Sequence, residues 1–240
     1  MKYIPLILLV VILSLSSCTN LVRIVSIKPG TPSVDSATLT FENDTLSIKY
    51  NFYGEGSYLN LMIYNKLNVP IYIDWGSSLY VTGTTKHDYT NTEFYGPRWR
   101  TTYSSTYELV PPKTSTTKTQ YLQIPVNLAI IPMVRKIKVK SPNKYNPDNR
   151  DSFKASQTDF FRNTSPFDFR SYLTISVGSK TGTEIHFDHE FWISNIKEMT
   201  KDQFLGTEID PSSGNEVYSN PFRDIHCFYF IYNPNQYQTQ

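Results

Sequence analysis

The sequence predicts an all-β protein: an antiparallel β-sandwich, immunoglobulin-like in general architecture, with one short helix. Three observations carry this expectation. Tyrosine and phenylalanine number 18 and 14, and with Thr, Val and Ile they suit pleated sheets. Alanine, a mainstay of helices, is nearly absent. Short apolar runs recur between polar turns at intervals of about 8–12 residues, the spacing of a sandwich.

Taken in order, the first strand-like run is Ala37–Phe41, closed by the turn-rich Glu42-Asn43-Asp44-Thr45. Leu46–Phe52 then alternates strictly, which places Leu46, Ile48, Tyr50 and Phe52 on one face. Leu59–Tyr64 and Ile71–Trp75 follow, and Pro70 fits the start of the second because it has no N–H to give to a ladder. Tyr107–Val110 leads through Pro111-Pro112-Lys113 into a threonine-rich link. Val134–Lys140 alternates with Val134 out of phase, as a bulge would produce. Ser141–Asp168 reads as a long surface excursion pinned by Phe160 or Phe161. Tyr172–Val177 and Glu184–Phe187 form a hairpin through Gly178–Gly182, and Ile225–Tyr232 is a last, buried strand. Between Trp192 and Leu205, the spacing of Ile193, Ile196, Met199 and Phe204 suggests the short helix.

The N-terminus carries a different signal. Lys2 precedes an apolar run from Ile4 to Leu13, too short to span a hydrocarbon core, which takes roughly 20 residues. Leu15-Ser16-Ser17-Cys18 then resembles the bacterial lipobox. The resemblance implies a signal peptide over 1–17 and a diacylglyceryl group on Cys18. The mature protein would be a palmitate-bearing lipoprotein held on the membrane by more than one acyl chain. By analogy with known lipoprotein sorting rules, Thr19 in place of an aspartate implies the outer membrane, facing the periplasm, with exposure on the cell surface as the alternative. Residues 18–36, with Pro29, Gly30 and Pro32, are expected to be a tether, and 37–240 a single sandwich domain.

A net charge of +2 argues against a nucleic-acid partner, which would need a basic surface to neutralise phosphates. Only two cysteines occur, and with Cys18 lipidated Cys227 is left unpaired, suited to a small buried hydrophobe.

Ile63-Tyr64-Asn65-Lys66 through Pro70-Ile71-Tyr72-Ile73-Asp74-Trp75, Val110-Pro111-Pro112-Lys113 and Phe191-Trp192-Ile193-Ser194-Asn195-Ile196 resemble recurring stretches of uncharacterised envelope lipoproteins of Bacteroidetes-type bacteria. That resemblance implies an envelope lipoprotein with a β-sandwich domain. It carries over no functional residue, since the matching positions look structural.

Chemistry-bearing clusters are few. His186-Phe187-Asp188-His189-Glu190 holds metal-ligand residue types. On a strand His186, Asp188 and Glu190 share one face while His189 faces the other. The two histidines diverge, so no metal is expected. No Gly-x-Ser-x-Gly elbow and no glycine-rich phosphate loop occur. Cys227 and His226 would fall on opposite faces of a strand. Aromatics crowd the segment from Tyr89 to Tyr107, around Gly96-Pro97-Arg98-Trp99-Arg100. Aromatic faces stack on sugars and arginine forks grip hydroxyls or carboxylates, so Tyr95, Arg98, Trp99 and Arg100 are the candidate ligand-binding residues. The expectation is a membrane-anchored envelope lipoprotein acting as a structural or protein-interaction module. A glycan-binding lipoprotein is the alternative and a hydrolase a more remote one. No enzymatic activity and no cofactor are expected, and the partners would be the membrane through Cys18 and an envelope protein or glycan.

Overall fold

A computed structural model describes residues 20–89, 92–95, 98–101, 106–140, 152–218 and 222–234. Among these the chain forms two large antiparallel sheets. The first has nine strands. Its main path runs β10 (Tyr107–Val110), β6 (Ile71–Thr82), β14 (Asp168–Val177), β15 (Thr183–Thr200), β1 (Leu21–Pro29), β18 (Cys227–Tyr232). β7 (Thr85–Asp88) pairs with β6, and a hairpin of β12 (Arg135–Lys140) and β13 (Ser152–Asp159) joins through β13 to β15. The second sheet has five strands, ordered β11 (Ser115–Tyr121), β5 (Tyr58–Asn65), β4 (Leu46–Asn51), β3 (Thr40–Glu42), β2 (Val34–Asp35). Two small hairpins stand apart: β8 (Thr92–Tyr95) with β9 (Arg98–Thr101), and β16 (Thr207–Ile209) with β17 (Glu216–Tyr218). The single α-helix among the described residues is α1 (Lys201–Leu205), capped by the Thr200 side chain.

Alternation builds the core. Leu46, Ile48, Tyr50 and Phe52 are wholly buried, joined by Leu59, Leu61 and Ile63 from the neighbouring strand. Facing them are Ile71, Ile73, Phe169, Leu173, Ile175, Phe191, Val25 and Ile27. Phe169 and Phe191 stack at 5.0 Å between ring centres, and Phe52 meets both edge-on. The reverse side of β1, β13, β15 and β18 holds a second cluster of Val22, Ile24, Ala155, Met199 and Cys227, closed by Phe204 of α1.

Asn65 locks two turns together. Fully buried at the end of β5, its Nδ2 donates to the carbonyls of Val69 (2.9 Å), Val110 and Pro111 (both 3.1 Å), while Oδ1 accepts the Leu67 N–H. Two of the stretches singled out in the sequence, the one at Asn65 and Val110–Lys113, thus meet here as structural parts.

Several expectations need correction. Leu21–Pro29 is not tether: it is a central strand of the larger sheet, between β15 and β18. Its Leu-Val-Arg-Ile-Val-Ser-Ile run is rich in β-branched residues, and the Pro and Gly that follow only end it. The threonine-rich link is strand β11, whose residues alternate between the two faces. The excursion from Ser141 is interrupted by β13, and β14 begins at Asp168. Phe160 does pack against the core, whereas Phe161 is 78% exposed. Val134 precedes β12 and the β12–β13 register runs unbroken, so no bulge lies there. The expected helix shrinks to Lys201–Leu205, because Trp192–Thr200 continues β15. Ile27 pairs with Ile193 and Ser26 with Asn195, leaving Ser194 as an extra residue. That bulge brings Ile193 and Ile196 onto one face three residues apart, a helix-like spacing made by a strand.

Candidate functional site

The exposed face of β6, β14 and β15 brings Arg170, Tyr172, His186, Asp188 and Glu190 together. Because strand residues alternate, Arg170 and Tyr172 point outward from β14 while Ser171 and Leu173 point inward; Thr174 shares the outer side but is covered. On β15, His186 and Asp188 are exposed and Glu190 half-buried, with Phe187, His189 and Phe191 inside. The predicted division of this segment between two faces is therefore the observed one.

The register sets the neighbours. Tyr172 lies opposite Asp188 and Leu79, and Arg170 opposite Glu190 and Val81. Arg170 forks onto Asp188, with Nε 3.1 Å from Oδ1 and a second bond to Oδ2. This bidentate geometry keeps the guanidinium charged and its plane fixed. Glu190 is ion-paired with Arg162. His186 stacks on Tyr172 at 5.6 Å and 17°, with Nδ1 3.2 Å from Thr174 Oγ1. Leu79, Val81, Arg170, Tyr172 and Asp188 line a shallow depression of about 200 Å³. The three outward ligand-type residues are thus engaged by arginines and a tyrosine, and no metal-holding group of three occurs among the described residues. Chemically, the face offers stacking surfaces and exchangeable charge pairs. Sequence reasoning missed Arg162, Arg170, Tyr172, Leu79 and Val81; the outward alternation of Tyr172–Val177, extended back to Asp168, could have found two of them.

Behind this face lies a sealed polar chain. Tyr50 OH is 2.7 Å from His189 Nδ1 and 3.5 Å from Ser171 Oγ, and Tyr89 OH is 2.7 Å from Ser171 Oγ. Phe41 packs on the imidazole at 4.8 Å. Burial raises the pKa values of Tyr50 and Tyr89 and lowers that of His189 to about 4, partly opposed by Asp188. All three are therefore neutral near pH 7. The Tyr50 hydroxyl and the neutral imidazole share one hydrogen bond at Nδ1, in which the tautomer of His189 sets which of the two donates. With His189 3% exposed and Tyr50 and Ser171 fully covered, no substrate reaches this chain from solvent.

The thiol of Cys227 is likewise buried, and burial first, then Asp224, pushes its pKa up to about 12. His226 instead bonds to Asp224 (2.6 Å) and to the Ser36 carbonyl (2.9 Å). A Cys–His nucleophile is not assembled.

The aromatic segment divides. Tyr89 belongs to the core, against Trp75 and Tyr80. Tyr107 lies in β10, half-buried, with Lys180 over its ring at 5.5 Å. Tyr95, Arg98, Trp99 and Arg100 lie in the β8–β9 hairpin, whose register pairs Tyr95 with Arg98, Phe94 with Trp99 and Glu93 with Arg100. Their side chains, like Cys18 and the signal segment, fall outside the described residues. The hairpin arises between β7 and β10, which pair with separate parts of β6. Between those parts β6 runs irregularly, with Trp75–Ser78 opposite Leu173. Asp74 Oδ1 accepts the Gly76 N–H there, and Trp75 Nε1 donates to Glu108.

Comparison with protein families, with characterised proteins and with solved structures finds no match. No helix among the described residues is long and apolar enough to cross a membrane.

Proposed function

We propose that the protein is a membrane-anchored envelope lipoprotein, attached through Cys18, whose sandwich works as a protein-interaction module. The observation that carries the interaction reading is the outer face of β6, β14 and β15. There Tyr172 and His186 stack, Arg170 and Asp188 pair, and Leu79 and Val81 floor a depression of about 200 Å³. Aromatic and arginine side chains around an apolar floor are the composition of an interface centre. The sealing of His189, Tyr50 and Cys227 supports a binding role over a catalytic one. The anchor reading rests on Leu15-Ser16-Ser17-Cys18 after an apolar run, and Thr19 after the cysteine supports the periplasmic side of the outer membrane as the module's address.

Two measurements test this. Radiolabelled palmitate should enter the wild-type chain and not Cys18→Ser; equal labelling overturns the anchor. A photo-crosslinking residue at position 172 should capture one defined envelope protein, and Arg170→Glu should abolish that adduct. If position 172 yields the same products as a remote exposed position such as 134, this face is not the interface.

A second reading is favoured by one observation: the β8–β9 hairpin, with Tyr95, Arg98, Trp99 and Arg100, lies outside both large sheets. A hairpin of that composition suits a sugar chain. Glycan-array binding that disappears in Trp99→Ala would support it, and an array blank for both proteins would end it.

A further inference from the structure

The β12–β13 hairpin concentrates positive charge at one end of the nine-stranded sheet. Lys138 pairs directly with Lys154, Lys136 with Ser156 and Lys140 with Ser152. Directly opposed residues share a face, so the four lysines form one stripe, with Ile137, Val139, Phe153 and Ala155 on the reverse in the second apolar cluster. All four lysines are exposed. Lys136 is steadied by a 2.7 Å bond to Ser156 Oγ. Among the described residues none of the four is ion-paired, whereas Arg135 on the other face is matched by Asp159. Lysines facing each other across a ladder repel, and among the described residues no carboxylate pairs with them to relieve that repulsion. A shallow hollow of about 460 Å³ follows the stripe, lined by Lys136, Lys138 and Lys154 with Ile137, Ser152 and Phe153.

The position of the stripe indicates its partner. β1 begins at Leu21, which pairs with Thr200 and with Tyr232. Ser156 pairs with Glu198, so Lys154, two residues nearer the start of β13, lies at the level of Thr200 and Leu21. Lys138 is at that level too, and Lys140 is about 7 Å further out. Cys18 is three residues from Leu21 and so within about 10 Å of it along the chain. An acyl chain on Cys18 would therefore hold this end of the sheet, with its lysines, against the headgroups.

We infer that the Lys136–Lys138–Lys140–Lys154 stripe is a docking surface for anionic phospholipid headgroups, which orients the sandwich on the membrane. This rests on the lipoprotein reading for its orientation. A polybasic surface adds to an acyl anchor in this way and loses strength as salt rises.

The test uses the full chain on vesicles of phosphatidylcholine alone or with three-tenths phosphatidylglycerol, with lysine acetylation read by mass spectrometry. Lys138, Lys140 and Lys154 should react about fivefold more slowly on the anionic vesicles, and the difference should vanish in high salt. Lys28, near the opposite end of β1, should react equally on both. The variant Lys138→Glu/Lys154→Glu should lose the protection of Lys140 while keeping its circular-dichroism spectrum. Equal reactivity on both vesicle types overturns the inference and leaves the lysines as guards of an exposed sheet edge. The mass of the Cys18 peptide reads the anchor separately: an unmodified Cys18 with protected lysines rejects the anchor and keeps the surface. A modified Cys18 with unprotected lysines does the reverse.

Discussion

Strands β14 and β15 divide two environments one residue apart. Inward, Ser171 and His189 join Tyr50 and Tyr89 in a chain cut off from water. Outward, Arg170 and Asp188 form an ion pair with side chains about half exposed, at 50% and 41%. Both arrangements are polar, yet their energetics differ. An inner group that loses its partner keeps its full desolvation penalty, whereas an outer group turns to water. The inner face is therefore fixed by its own contacts, and the outer face can exchange its pairs with those of another molecule.

The sharpest way to break this comparison is to substitute neighbours on the same strand. Leu173→Ala empties a wholly buried site and should cost about 2–5 kcal/mol in urea unfolding. The half-buried, outward Tyr172→Ala should cost about 1 kcal/mol or less. Equal costs would mean that the two faces are not energetically distinct.

The next largest effect is on pH dependence. The unfolded chain protonates His189 as pH falls through its ordinary value of 6.5, while the folded protein resists until about pH 4. The stability contributed by the neutral imidazole is thus complete above pH 6.5 and is lost progressively down to pH 4. The loss is of the order of 3 kcal/mol. Urea midpoints at pH 7 and pH 4.5 should diverge for the wild type and converge for His189→Gln. A variant with the wild-type slope would assign the effect to other groups.

Tyr50→Phe should follow, at about 1–3 kcal/mol, because it leaves His189 Nδ1 buried without its hydrogen-bond partner; thermal unfolding at pH 7 measures it. Smallest should be Arg170→Ala, below about 1 kcal/mol. If the outer face is an interface, that same variant should nevertheless lose its crosslinked partner. Lost stability with binding intact would reverse the roles assigned to the two faces.

Much of this was legible in the sequence because it is local. Strict alternation in Leu46–Phe52 and in His186–Phe191 placed each residue on its observed face. The failures came where a distant strand changed the local rule. The Ile193–Ile196 spacing looks helical until Ser26 and Ile27 are seen to force a bulge on the opposing strand. Leu21–Pro29 looks like a leader to the Pro–Gly segment until β15 and β18 are seen on either side of it. At the candidate site, nothing local announces that Arg170 and Arg162 will cover Asp188 and Glu190.

The sequence alone determined that the chain is all-β and which faces of its regular strands are apolar, and it carries the resemblance of its N-terminus to a lipobox. These follow from residue type and from a two-residue period, neither of which needs a partner strand. Only the tertiary structure decided that Asn65 clasps the Val110–Pro111 turn, that His189 meets Tyr50, and that four lysines line up beside the start of β1. Each of these joins residues far apart in the chain. Such meetings are set by strand order and register, which depend on how whole faces pack.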